Sequence, residues 1–145
     1  MTLINALVVL AVLLVVTVAI GACLQWRQRT PQRHLPHEVV DAQRLGADGL
    51  GETATLLQFS TEICSRCPGV HRQLAAVAAA HEGVRHLDVD LTHRPDLARH
   101  FHVMQTPTTL ILDRHGVIRT RFGGVPNPDV IELELAGLDG SRSDV

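Results

Sequence analysis

The chain has no lysine and no tyrosine, and Trp26 and three phenylalanines are its few aromatic side chains. Every fixed positive side chain is therefore an arginine, which removes lysine from any catalytic role. Neither sign of charge prevails: 13 basic and 15 acidic residues leave a net charge of −2 with histidine neutral. The basic footprint of a nucleic-acid-binding chain is missing. Cysteine is scarce as well, at Cys23, Cys64 and Cys67. A structural zinc site draws on four ligands, usually two spaced pairs, and this chain has one such pair. Covalent haem needs a histidine directly after the second cysteine, where Pro68 stands. No internal repeat is visible. The nine histidines are scattered; the closest pairs, His34/His37 and His100/His102, lack a third nearby ligand and read as solvated.

Charge is also absent from residues 1–26, where Leu3 to Leu24 is apolar apart from Asn5 and Thr17. A run of roughly 20 such residues spans a bilayer as a helix, and Trp26-Arg27 behind it suits the interface. This favours an uncleaved anchor over residues 1–26. A cleaved secretory signal is an alternative, but it carries positive residues ahead of the apolar run, and Met1-Thr2-Leu3 has none. A lipoprotein signal is another: Ile20-Gly21-Ala22-Cys23 resembles a lipobox imperfectly, and Cys23 reads better as a small apolar residue in the membrane. Residues 27–37, with three arginines and two prolines, form a polar spacer. A folded domain is expected over 38–140 and a frayed polar tail over 141–145.

Within the domain, Thr55 to Phe59 is short, apolar and partly β-branched, as in a buried strand. Cys64-Ser65-Arg66-Cys67 follows, and then Val70, Leu74 and Val77 recur at helical spacing. The cysteines thus lie at a strand-to-helix junction, with Cys64 placed at the start of a helix running from about Cys64 to His81. Free N–H groups and partial positive charge at a helix start stabilise a thiolate, and Arg66 adds a full charge. The Cys64 pKa is expected below the free value of about 8.5. The spacing lets the two sulfurs bond to each other across a tight loop. A thiolate metal site using Cys64, Cys67 and His71, four residues beyond Cys67, is an alternative that soft copper(I) would suit; His71 otherwise reads as an exposed helix residue.

Val84 to Asp90 alternates like a strand. Pro95 opens a short helix. Thr108 to Leu112 and Val117 to Phe122 flank the turn Asp113-Arg114-His115-Gly116 as a hairpin. Asn127-Pro128-Asp129 is a strong helix start before Ile131, Leu135 and Leu138. A short strand and a short helix are expected between Glu38 and Gly51. The order implies a mixed α/β sheet, parallel across the first helix and antiparallel in the hairpin, with helices on both faces.

This pattern resembles the thioredoxin family over about Ala54 to Leu138. The resemblance rests on Phe59 before Cys64 and Cys67, on Leu87-Asp88-Val89-Asp90, on Gln105-Thr106-Pro107-Thr108 and on Phe122-Gly123. It implies a thioredoxin-like three-layer α/β/α sandwich. It also implies a cis bond at Thr106-Pro107, a Thr106 backbone that pairs with a substrate peptide, and a groove flanked by Phe122-Gly123. The chain departs from the family at several positions. Ile63 replaces the usual tryptophan, and Ser65-Arg66 the usual Gly-Pro. Gln58 falls where the family's buried acid lies, and His86 where a nearby lysine is common. Arg72 takes the place of the helix proline. Ser65, Arg66 and Gln58 are thus the residues expected to tune the cysteines.

The resemblance implies a thiol–disulfide oxidoreductase of protein disulfide reductase type, and the apolar run before it makes that a membrane-tethered one. Cys64 would be the nucleophile and Cys67 the resolving thiol, with no organic cofactor or metal. Its partners would be protein thiols or disulfides and a separate redox partner, on a monomeric chain. The alternatives are the metal-binding or metallochaperone module and a redox-inactive interaction domain of the same fold. Arg27, Arg29 and Arg33 follow the anchor and no Lys or Arg precedes it, which places the domain of a single-pass cell-membrane protein in the cytoplasm.

Overall fold

The computed structural model describes residues 3–29, 32–33 and 39–140, with the backbone alone at 25–29 and 32–33. It divides into two compact units, Met1–Thr30 and Pro31–Val145. The expected tail over 141–145, residues 30–31 and 34–37 of the expected spacer, and residue 38 of the expected domain lie outside the described residues.

The first unit is one helix, α1, Leu3–Arg29. Its Leu3–Leu24 portion is long and apolar enough to cross a membrane. The apolar side chains point in every direction around the axis rather than forming one stripe, as in a helix solvated by lipid. Thr17 satisfies its hydroxyl internally by donating to the Leu13 carbonyl at 2.6 Å. The helix continues past Trp26 into the stretch read as a spacer.

The second unit contains β1 (Gln32–Arg33), α2 (Ala42–Leu45), β2 (Ala54–Ser60), α3 (Cys67–Ala80), β3 (Val84–Asp90), α4 (Pro95–His100), β4 (Thr108–Asp113), β5 (Ile118–Gly123) and α5 (Pro128–Gly140). The sheet order is β1-β5-β4-β2-β3. Strands β2 and β3 run parallel, joined through α3, while β2–β4, β4–β5 and β1–β5 are antiparallel. This is the mixed three-layer architecture expected. Between 38 and 51 the expected helix is the single turn α2, capped by Asp41 and by Gly46 at φ 74°. The expected strand shrinks to one bridge, Val39 to Val117.

The interior strand β2 is buried on both sides, and its alternation feeds two cores. Leu57 and Phe59 join Leu110, Leu112, Leu97 and Phe101 on one face. Ala54 and Leu56 join Val70, Leu74, Ile111, Phe122, Ile131 and Leu135 on the other. Helix α4 therefore covers one side of the sheet, and α3 and α5 the other. Gln58 shares the α3 side, and the parallel register sets Leu56 beside His86, Gln58 beside Asp88 and Ser60 beside Asp90.

One helix boundary differs from expectation. Helix α3 starts at Cys67, not Cys64, with Arg66 as its cap residue and Pro68 in the first turn. A proline there loses no hydrogen bond and has φ preset for a helix. Cys64 and Ser65 form a turn ahead of it, in which the Cys67 N–H donates to the Cys64 carbonyl at 3.3 Å.

Candidate active site

Cys64 and Cys67 are bonded to each other, with Cα atoms 5.5 Å apart. Their surroundings are unequal. Cys67 is 5% exposed, seated at the start of α3, whereas Cys64 is only half-buried. The loop carrying Cys64 is held at several points. The Cys64 N–H donates to the Thr61 carbonyl at 3.1 Å. The Glu62 N–H donates to the Thr92 hydroxyl at 3.0 Å, and that hydroxyl in turn donates to Asp90. Thr61 and Thr106 share a hydroxyl–hydroxyl bond of 3.1 Å, joining the cysteine loop to the loop before β4.

The Thr106–Pro107 bond is cis. The Pro107 carbonyl accepts from the Gly124 N–H at 2.8 Å, so the 105–107 and 123–124 segments are adjacent. Thr106 lines a shallow depression together with Thr61, Ile63, Cys64, Ser65 and Arg66. Ser65 and Arg66 are exposed. The Phe122 side chain lies elsewhere: at 1% exposure it belongs to the core beneath α3 and α5. Alternation along β5 turns residue 122 inward. Gly123 is the member of that pair near the surface.

Beneath the disulfide, Gln58 is wholly buried. Its amide nitrogen donates to the Cys67 carbonyl at 3.1 Å, and its oxygen accepts from the His86 Nε2–H at 3.2 Å. His86 stacks edge-on against His71, with ring centroids 4.8 Å apart. Burial pushes the His86 pKa below the usual histidine value, the neighbouring His71 acts in the same direction, and Asp88 opposes both. His71 Nδ1 lies 2.9 Å from Asp88 Oδ2. The other carboxylate oxygen accepts from the Ser60 hydroxyl at 2.6 Å.

Sequence reading missed this cluster: it took His71 as an exposed helix residue, which it is, or as a metal ligand beside the cysteines, and read the histidines as scattered. The signals were present in two places. His71 follows Cys67 by one helical turn, and His86, Asp88 and Asp90 alternate along one strand face. Only the parallel pairing of β2 with β3 and the docking of α3 bring the two sets together. Among the described residues, no three His, Cys, Asp or Glu side chains converge as a metal-binding group.

A second open groove on the α3 side of the disulfide is lined by Cys64, Cys67, His71, Asp88 and Asp90. The apolar side chains exposed near the site are Ile63, directly before Cys64, Met104, just before the Thr106 loop, and Val125, just after Gly124.

A family model described as Thioredoxin matches residues 47–135. Mitochondrial thioredoxin 3 from Saccharomyces cerevisiae, in its oxidised form, superposes with a TM-score of 0.51 at 22% identity, covering 59% of this chain and 79% of that one. Thioredoxin f from spinach chloroplast gives 0.53 at 20% identity, covering 61% of this chain and 79% of its own. Fasciola hepatica thioredoxin gives 0.50 at 19% identity, covering 59% and 81%. No curated protein sequence matches the chain significantly.

Proposed function

Because this chain belongs to the thioredoxin family, we propose that it is a thiol–disulfide oxidoreductase that reduces protein disulfides while tethered to a membrane through α1. The observation that carries this reading is the unequal exposure of the bonded pair, with Cys64 partly exposed and Cys67 buried. A reduced Cys64 attacks a substrate disulfide as thiolate and forms a mixed disulfide. Cys67 then attacks the Cys64 sulfur, releases the reduced substrate and restores the internal bond. A separate dithiol donor re-reduces the pair. Ser65 and Arg66 flank Cys64 and tune its thiolate, while Gln58 supports Cys67 from below. The Thr106 backbone, Pro107 and Gly123 bind an extended substrate segment. The exposed Ile63, Met104 and Val125 suit an apolar polypeptide surface. Arg27, Arg29 and Arg33 on the C-terminal flank of α1 favour a cytoplasmic domain, where reducing conditions suit a reductase.

The test of roles is trapping in cells. Cys67→Ser is expected to accumulate mixed disulfides through Cys64, and Cys64→Ser is not; the reverse pattern overturns the assignment. The test of placement is a membrane-impermeant thiol reagent applied to intact cells after mild reduction. Protection of Cys64 until lysis is expected, and labelling before lysis puts the domain outside and removes the reductase preference.

A further inference from the structure

The resolving step requires Cys67 to lose a proton, and Cys67 is 5% exposed, a setting that disfavours the thiolate. The side chain bonded beneath it is the amide Gln58, which neither gives nor accepts a proton in ordinary chemistry. The proton therefore needs another acceptor. We propose that His71 is the base that deprotonates Cys67 during resolution, oriented by Asp88. This inference rests on the oxidoreductase reading above.

Three observations converge on His71. It lies one helical turn beyond Cys67 on the same face of α3, and both side chains line the same open groove. Its Nδ1 faces Asp88 Oδ2 at 2.9 Å; the carboxylate accepts the Nδ1 proton, leaving Nε2 as the nitrogen with a free lone pair. Asp88 is itself held by the Ser60 hydroxyl, so the imidazole is fixed in tautomer and orientation. The other titratable or charged groups around His71 are His86 on β3, which touches its ring, and Arg72, Asp90 and Glu62 around the groove. His86 is not among the residues lining that groove, and its Nε2 carries the proton given to the Gln58 oxygen, so that nitrogen accepts none.

The step balances as follows. The Cys67 thiol gives its proton to His71 Nε2 across the groove, directly or through one water. The Cys67 sulfur attacks the Cys64 sulfur, the Cys64–Cys67 bond forms, and the bond from Cys64 to the substrate sulfur breaks. The departing substrate thiolate takes the proton from the imidazolium. The substrate disulfide gains two electrons over the two steps and the cysteine pair loses them, to be restored by the dithiol donor.

The test uses the full chain in detergent, carrying Cys23→Ser so that two thiols remain, reduced and then mixed rapidly with the chromogenic disulfide 5,5′-dithiobis(2-nitrobenzoate). The first released chromophore reports attack by Cys64 and the second reports resolution by Cys67. His71→Ala is expected to lower the ratio of the second rate to the first by about tenfold or more. It should also abolish the rise of the second rate with pH that follows imidazole deprotonation, and added imidazole should restore much of the loss. Asp88→Asn should fall between parent and His71→Ala. An unchanged ratio, or a fall that imidazole does not rescue, overturns the base assignment while leaving the oxidoreductase reading intact. A parent that releases no second chromophore defeats both.

Discussion

Gln58 shows how much one side chain does at this site. It is wholly buried, and its amide satisfies the Cys67 carbonyl on one side and His86 on the other. Gln58→Ala strands both partners and is expected to lower stability by about 1–3 kcal/mol, read from the urea midpoint. His86 adds a pH dependence whose sign follows from its lowered pKa. The unfolded chain takes up a proton near pH 6.5 while the folded chain still resists, so stability falls as pH drops below that value. His86→Gln should flatten this part of a stability-against-pH curve. Arg66, exposed beside Cys64, offers a third test: Arg66→Glu should slow alkylation of reduced Cys64 near neutral pH, and an unchanged rate would mean that the guanidinium points away. At this scale the cysteines, the cis proline and the exchanges at 58 and 86 were legible, since each occupies a motif position. The contact of His71 with Asp88 and His86 was not, because it depends on how α3 docks against β3, whose register sets Gln58 beside Asp88.

Elements were legible where periodicity was long and punctuated. Strands β2 to β5 and helices α3 and α5 fall where alternation, helical spacing, Gly83 and Asn127 place them; Asn127 Oδ1 accepts from the Asp129 N–H at 3.0 Å. The start of α3 was misplaced by one turn, because apolar spacing does not show whether the residues ahead of Pro68 are helix or turn. In β2, Leu57 is fully buried, and Leu57→Ala should cost about 2–5 kcal/mol in a denaturant titration. The β4–β5 hairpin carries its own acid sensitivity. Burial of Asp113 pushes its pKa upward, but hydrogen bonds from the Val117 N–H, Arg119 and the His115 N–H outweigh it, and the net shift is downward. Such a carboxylate stabilises the fold above its unfolded value of about 4, and that contribution is lost as pH falls through the folded value. Asp113→Asn should therefore reduce stability at pH 7 and diminish the loss on acidification below about pH 4. A variant with parental acid sensitivity would show that the network is replaced by water.

For the molecule as a whole, the apolar helix and the α/β domain differ plainly in composition: one has no charged side chain over residues 3–24, the other alternates polar and apolar faces. The boundary region was less readable, since α1 runs on to Arg29 and Gln32–Arg33 pair with β5. If arginines hold the flank in the cytoplasm, replacing Arg27, Arg29 and Arg33 together by alanine should raise the fraction of Cys64 labelled from outside intact cells. No change in that fraction would show that these charges do not decide orientation.

The unequal burial of the two sulfurs also bears on how the protein ages under oxidants. A peroxide meeting the reduced chain reaches Cys64 first and converts it to a sulfenic acid. The buried thiol, on a Cα 5.5 Å away, stands ready to condense with it, expelling water and returning the molecule to its ordinary bonded form. Condensation with that neighbour competes with the irreversible rungs of sulfinic and sulfonic acid. With the roles proposed above, Cys67 would thereby act as a built-in fuse for its more exposed neighbour, independent of any substrate.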